Sequence, residues 1–321
     1  MTNIYKLFSK LRQYGSSKKD KYFVTDIPGL KNHKLGISTE GSPMFFILSK
    51  EINLIYLPIE LGISVQFGLN CKLTDGKKQM IGNYTIITLK SYNEDLLSYF
   101  LDIIYVVIKG LPSIPTLKNV KSEIDKLIEL FSNLSKAGTS DIQGLCAELM
   151  IIERARNPDY MVASWHSVKN DLFDFNDGKD KIEVKSTSKS ERIHSFSLNQ
   201  LNPNLNSKLI IGSVFIIKTG KGKNIFDLID LISKRLNNNS RITFARIISE
   251  IMGEQINKAT DFYFDYANAK DRLAFYNVID IPKLQIDQIP IEVSNVHFDC
   301  NLSKVKEFKV GKVKSHLFQS L

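Results

Sequence analysis

Short β-branched and aromatic runs alternate with turn residues through the first ninety positions of the chain. Runs at 45–48, 52–57, 64–67 and 84–89 predict strands, and Thr74-Asp75-Gly76-Lys77 predicts a turn among them. The hydrophobic period then lengthens. An apolar stretch over 93–109, stopped by Gly110-Leu111-Pro112, and an amphipathic one over 120–135 predict two helices. Lys136-Ala137-Gly138-Thr139-Ser140 reads as a hinge into the next unit.

From 140 to 237 the pattern predicts helix, strand, strand, strand, short helix, strand, helix. Ser140 to Gln143 fits a capping box, with Ser140 as N-cap of the first helix and Gln143 reaching back. Strands are expected at 161–165, 172–175 and 181–187, with Asn176-Asp177-Gly178-Lys179 as the tight turn before the third. A fully apolar fourth strand follows at 209–217 and an amphipathic helix at 225–236. Another helix (241–252), an aromatic-rich stretch (263–276) and short closing strands complete the chain. The fold class expected is α/β: a mixed central sheet flanked by helices, preceded by a β-rich part. The expected domains are 1–137 (β-rich, ending in helices), 138–240 (the core) and 241–321 (an α/β extension packed on the core).

The third strand carries Glu183-Val184-Lys185. Alternate side chains of a strand share a face, so Glu183 and Lys185 point one way while Ile182 and Val184 point into packing. A hairpin turning at 177–179 sets Asp174 opposite Glu183 or one diagonal step away. Two facing carboxylates repel unless a cation lies between them. A divalent ion with oxygen ligands, Mg²⁺ in particular with Mn²⁺ as a substitute, resolves the conflict. Such an ion would activate a water and a phosphodiester oxygen, and Lys185 could orient that water or stabilise charge on the phosphate.

A second Glu-x-Lys, Glu307-Phe308-Lys309, has Asp299 at nearly the same spacing. Too little chain follows it for a further helix and strand, and no capped acidic helix precedes it, so Glu183 is preferred. Glu148 lies on a helix among Leu145, Ile151, Ile152 and Ala155, which turns it partly inward; Glu153 is the alternative acid. Asp171 and Asp177 are neighbours of Asp174, Asp177 being better explained by the turn. Trp165 reads as core, and neither His166 nor His194 is expected as a ligand.

Composition narrows the chemistry. Cys71, Cys146 and Cys300 are scattered, and the five histidines lack i, i+4 pairing, which argues against a zinc site and a disulfide framework. No apolar run approaches the ~18 residues that span a bilayer. The start has no signal-peptide layout, so a cytoplasmic location and no membrane partner are expected. The net charge is +9, split as +5 over 1–135, −1 over 136–200 and +5 over 201–321. Basic flanks around a slightly acidic centre suit DNA binding around a carboxylate site, with solvated surface charge as the alternative reading. Lys18-Lys19-Asp20-Lys21 and 304–314 are the candidate DNA contacts, and the first could equally be a solvated loop.

The series Gly144-Leu145-Cys146-Ala147-Glu148-Leu149, Trp165, Asp174-Phe175, Ile182-Glu183-Val184-Lys185-Ser186-Thr187 and Ser197-Leu198-Asn199-Gln200-Leu201 resembles the PD-(D/E)XK phosphodiesterase superfamily. More narrowly it is similar to a prokaryotic branch found in restriction-type phage-defence gene clusters. The motif match covers about 60 residues, with Phe173 where the superfamily's name has Pro. The resemblance implies a restriction endonuclease-like core, metal ligation by Asp174 and Glu183 with Glu148 as the helix-borne acid, and Lys185 as the catalytic lysine. Gln200 would be an accessory residue near the scissile phosphate; plain helix surface is its other reading. It further implies a Mg²⁺-dependent endodeoxyribonuclease with ATPase or helicase-like and methyltransferase partners. A homodimer is expected because double-strand cutting needs two sites. The rival expectations are a non-catalytic DNA-binding or assembly subunit of the same fold, and a nuclease of structured DNA or RNA.

Overall fold

The computed structural model describes residues 4–13, 22–49, 56–59, 63–90, 93–133, 141–167, 171–203 and 206–321. The chain divides into two compact units, Met1–Thr139 with Ile248–Asn257, and Ser140–Ile247 with Lys258–Leu321.

In the first unit, helix α1 (Ile4–Gln13) precedes strands β1 (Tyr22–Ile27), β2 (Leu30–Ile37), β3 (Pro43–Leu48), β4 (Tyr56–Ile59), β5 (Ile63–Thr74) and β6 (Gln79–Leu89). They form one sheet in the order β1-β2-β3-β6-β5-β4, and a parallel pairing of β1 with β5 closes it on itself. Asp75 makes the β5–β6 turn by accepting the Lys77 and Lys78 N–H groups, while Gly76 takes φ +89°. Helix α2 (Glu94–Ile108) starts at Asn93, whose side chain accepts from the Asp95 and Leu96 N–H groups; α3 (Leu117–Asn133) follows.

The second unit opens with α4 (Ile142–Arg154), whose residues from Leu145 to Ile152 are all buried. Its N-cap is Asp141, without a side-chain cap bond, and Gln143 Nε2 donates to Ser186 Oγ (3.1 Å) instead of reaching back. Ser140 and the 136–140 hinge lie outside the described residues. The strand expected at 161–165 is a helix, α5 (Pro158–Ser164). Asn157 caps it by accepting the Tyr160 N–H, and Pro158 occupies its first turn, where a missing N–H costs nothing. The strand expected at 172–175 shrinks to β7 (Phe175–Asn176), with Leu172 exposed.

Strand β8 (Lys181–Thr187) pairs antiparallel with β7 and parallel with β10 (Leu209–Phe215), the intervening β9 (Ile193–Ser197) lying in another ribbon. The remaining elements are β11 (Lys218–Thr219), α6 (Ile225–Ser233), α7 (Asn238–Met252), α8 (Ile256–Ala259), β12 (Tyr263–Phe264), α9 (Tyr266–Asp271), β13 (Ala274–Asn277), β14 (His297–Asn301) and α10 (His316–Gln319). The order β13-β10-β8-β7 makes a mixed four-stranded sheet, so the fold is mixed α/β. Helix α4 covers the face bearing Ile182 and Val184. Gly212 permits the approach, since a Cβ there would come within 3.1 Å of Ile151 Cδ1. The opposite face, with Glu183, Lys185 and Ile211, is covered by Phe196 on β9 and Leu201 beyond it. Among the described residues, no helix is long and apolar enough to cross a membrane.

Candidate active site

Glu183 and Lys185 share one face of β8, Glu183 fully buried and Lys185 partly so. The β7–β8 ladder ends at Phe175 opposite Ile182, a register that puts Asp174 opposite Glu183. Instead of extending the ladder, the Asp174 carboxylate itself accepts the Val184 N–H (Oδ2, 2.7 Å). In a continued ladder Phe173 would face that N–H. The side chain thus satisfies a backbone donor and is fixed at the seam where β7 leaves β8. The preceding turn holds the register: Asp177 Oδ1 accepts the Lys179 and Asp180 N–H groups, and Gly178 takes φ +88°.

Glu148 comes from the buried side of α4. Its Oε2 accepts the Trp165 indole N–H at 2.7 Å and lies 2.9 Å from His166 Nε2. Trp165 is fully buried, stacked on Phe175 and tilted against Phe244, so its donor is rigidly placed. His166 stands at φ +43°, an unusual backbone for a non-glycine residue, and its N–H donates to the Asp174 carbonyl (2.9 Å). One ligand atom from each of Glu148, His166 and Asp174 lies within 4.8 Å of the other two.

The Lys185 ammonium sits 2.8 Å from Glu183 Oε1 and donates to Gln200 Oε1 (3.2 Å), 5.3 Å from the centre of the Phe196 ring. Gln200 also donates through Nε2 to Glu183 Oε1, so all three side chains form one linked set. Gln200 is placed by a short 3-10 helix, Leu198–Leu201, whose N-cap Ser197 exchanges both capping-box bonds with it. Glu183 Oε2, in contrast, is buried with no hydrogen-bond partner among the described residues.

The charges here are held at a cost. Burial, then the negative charges of Glu148 and Glu183, push the Asp174 carboxyl well above its usual range against the opposing Val184 N–H and Lys185. Burial raises Glu183 to about 7, although Lys185 opposes the shift. A divalent cation would offset both penalties and supply the partner that Glu183 Oε2 lacks. Glu148, Asp174 and Glu183 therefore fit a bound metal, with His166 beside them.

The structure brings together Glu148, Asp174, Glu183, Lys185 and Gln200. The sequence points to Asp174, Glu183 and Glu148 as ligands; the mutually close trio has His166 in place of Glu183. A dispersed histidine just after a tryptophan carries no signal, because only the Trp165–Phe175 bridge brings it to Asp174. His194 is elsewhere: it is buried against Ser213 Oγ (2.7 Å), and burial followed by the Arg192 and Lys185 charges lowers it to about 4. Glu153 Oε1 accepts from the Tyr266 hydroxyl, and Asp171 accepts the Phe173 N–H and the Asn176 amide. Glu307 and Lys309 lie exposed outside any strand, so the second Glu-x-Lys builds no such face.

No curated protein and no solved structure matches the chain. A family model matches residues 7–303, nearly the whole length, and its description reads "Putative PD-(D/E)XK family member, (DUF4420)". With that match added to the paired strand carboxylates and the lysine beside them, the chain belongs to this PD-(D/E)XK-type family.

Proposed function

We propose that the chain is a metal-dependent endodeoxyribonuclease with a restriction endonuclease-like core, acting as the nuclease component of a restriction-like phage-defence system. The observation that most supports this is the buried, unpartnered Glu183 Oε2 beside Asp174, with a lysine ammonium on the same strand face. Membership of a PD-(D/E)XK-type family points to the same chemistry.

Glu148, Asp174 and Glu183 would hold a divalent cation, Mg²⁺ with Mn²⁺ as a substitute. When bound, such an ion polarises a phosphodiester oxygen and makes a bound water more acidic. The protein's own part is positioning. Glu183 and Gln200 hold Lys185 so that one of its three ammonium donors remains to orient the attacking water or to stabilise charge on the phosphate. Asp174 is fixed by the Val184 N–H and Glu148 by Trp165, so neither carboxylate must reorganise during reaction. The basic flanks, including exposed Lys304, Lys306, Lys309 and Lys314, would grip the DNA backbone. Lys18-Lys19-Asp20-Lys21 lies outside the described residues. ATPase or helicase-like and methyltransferase partners, a homodimer and a cytoplasmic location belong to the same reading.

Cleavage of supercoiled duplex, branched junction and RNA substrates, each with Mg²⁺ and with chelator, tests it. Metal-dependent nicking or linearisation of duplex is expected. Cutting confined to junctions or RNA would move the substrate class, and no cutting even with partner proteins would leave a binding module.

A further inference from the structure

We infer that His166 is a direct ligand of the divalent cation, and that its imidazole makes the site bind Mn²⁺ more tightly than Mg²⁺. The inference rests on the metal site proposed above and adds to it a nitrogen donor and an ion preference. His166 Nε2 and Glu148 Oε2 are 2.9 Å apart, and Asp174 lies within 4.8 Å of both. A cation held by the trio would take one donor atom from each of these side chains.

The surroundings fit a ligand better than a purely structural histidine. The imidazole is 31% exposed while Glu148 is 8% exposed, so the ring closes the solvent side of a buried carboxylate. Trp165 already satisfies the same Glu148 oxygen, so His166 is not needed to rescue a buried acceptor. The residue is held at φ +43°, a strained conformation that persists where the surroundings impose it. Glu183 Oε2, on the strand residue opposite Asp174, is buried without a hydrogen-bond partner among the described residues.

The ion preference follows from donor chemistry. Mg²⁺ favours oxygen ligands and keeps much of its water. Imidazole nitrogen suits the first-row transition ions, among which Mn²⁺ also accepts carboxylates. A mixed set of carboxylates and one imidazole therefore favours Mn²⁺ over Mg²⁺, where an all-carboxylate set would discriminate less.

The test is pulsed electron paramagnetic resonance of Mn²⁺ bound to the full chain, with calorimetric titration of Mn²⁺ and Mg²⁺. Nitrogen-14 coupling to Mn²⁺ is expected in the wild type, lost in His166→Gln and kept in His194→Gln. His166→Gln is expected to lower Mn²⁺ affinity on the order of 10–100-fold and Mg²⁺ affinity far less. Because the wild-type spectrum alone decides whether nitrogen is bound, a poorly folding variant does not leave the question open. Mn²⁺ bound without nitrogen coupling, or equal losses for both ions, would overturn the inference while leaving a carboxylate metal site. Absence of binding by either ion would overturn the metal site itself.

Discussion

Replacing Glu183 by Gln removes a charge that the metal-free protein holds at a cost, so this loss of a candidate ligand should stabilise the protein when metal is withheld. Burial lifts the Glu183 carboxyl from an ordinary 4.5 to about 7 despite Lys185. A folded-state value above the unfolded one means that the stability it contributes is complete below pH 4.5 and is lost as pH rises through 7. At pH 8 the loss amounts to about 3 kcal/mol, taking 1.36 kcal/mol per unit. The amide of Glu183→Gln would keep an oxygen to accept from Lys185 and cannot ionise. With Glu183 neutralised, the repulsion raising Asp174 also weakens, which acts in the same direction. Trp165 is the chain's one tryptophan, so its fluorescence follows unfolding of the unit that contains the site. In chelator at pH 8, Glu183→Gln should melt higher than wild type by roughly 6–12 °C at ~2–4 °C per kcal/mol, and the gap should close near pH 5. Saturating Mg²⁺ should narrow or reverse it, since ligand at 100 times its Kd stabilises wild type by about 2.7 kcal/mol. A variant no more stable than wild type in chelator at pH 8, or a gap independent of pH, would refute the reasoning.

Asp174→Asn should keep the Val184 N–H bond through its amide oxygen but lose metal-induced changes in Trp165 fluorescence; an unchanged Mg²⁺ titration would show that Asp174 is no ligand. Gln200→Ala removes one of two partners of Lys185, a charged hydrogen bond worth about 1.5 kcal/mol, and should slow cleavage roughly tenfold with metal affinity little changed. The opposite pattern, weaker metal binding at an unaltered saturated rate, would remove Gln200 from the positioning role. Gly178→Ala meets no atom within 4 Å but must hold φ +88°, so denaturant melting should show a loss of roughly 1–2 kcal/mol. Cleavage below its melting temperature should be unaffected, and a loss of activity there would mean that the turn does more than set register.

The Glu183/Lys185 face is legible in the sequence because strand alternation is a local property, and the Asp174 register because a tight turn at Gly178 and Lys179, closed by the Asp177 N–H to the Asp180 carbonyl, leaves few pairings. Helix α5 is not what its apolar run suggests. The run at 161–165 looks β-forming, but Asn157-Pro158 carries a helix-start signal that outweighs so short an apolar run. The Asp174 segment reads as a longer strand, whereas its carboxylate takes over the Val184 donor and ends the ladder. His166 is illegible for a different reason. Its place depends on a bridge between Trp165 and Phe175 and on a left-handed backbone, neither of which leaves a periodic trace. The β5–β6 turn and the cap of α2 come from short-range chemistry and can be read directly; the closure of β1 on β5 is a long-range pairing and cannot.

Single-turnover cleavage of supercoiled plasmid by wild type and Lys185→Ala, with Mg²⁺ and with chelator, tests the central claim most directly. Lys185 is ion-paired with Glu183, and a cationic group so placed contributes about 10²–10³ in rate. The predicted result is Mg²⁺-dependent cutting by wild type, abolished by chelator and lowered by that factor in Lys185→Ala protein that is folded and saturated with Mg²⁺. Cutting that persists in chelator, or a folded Lys185→Ala protein that cuts as fast as wild type, would contradict the account.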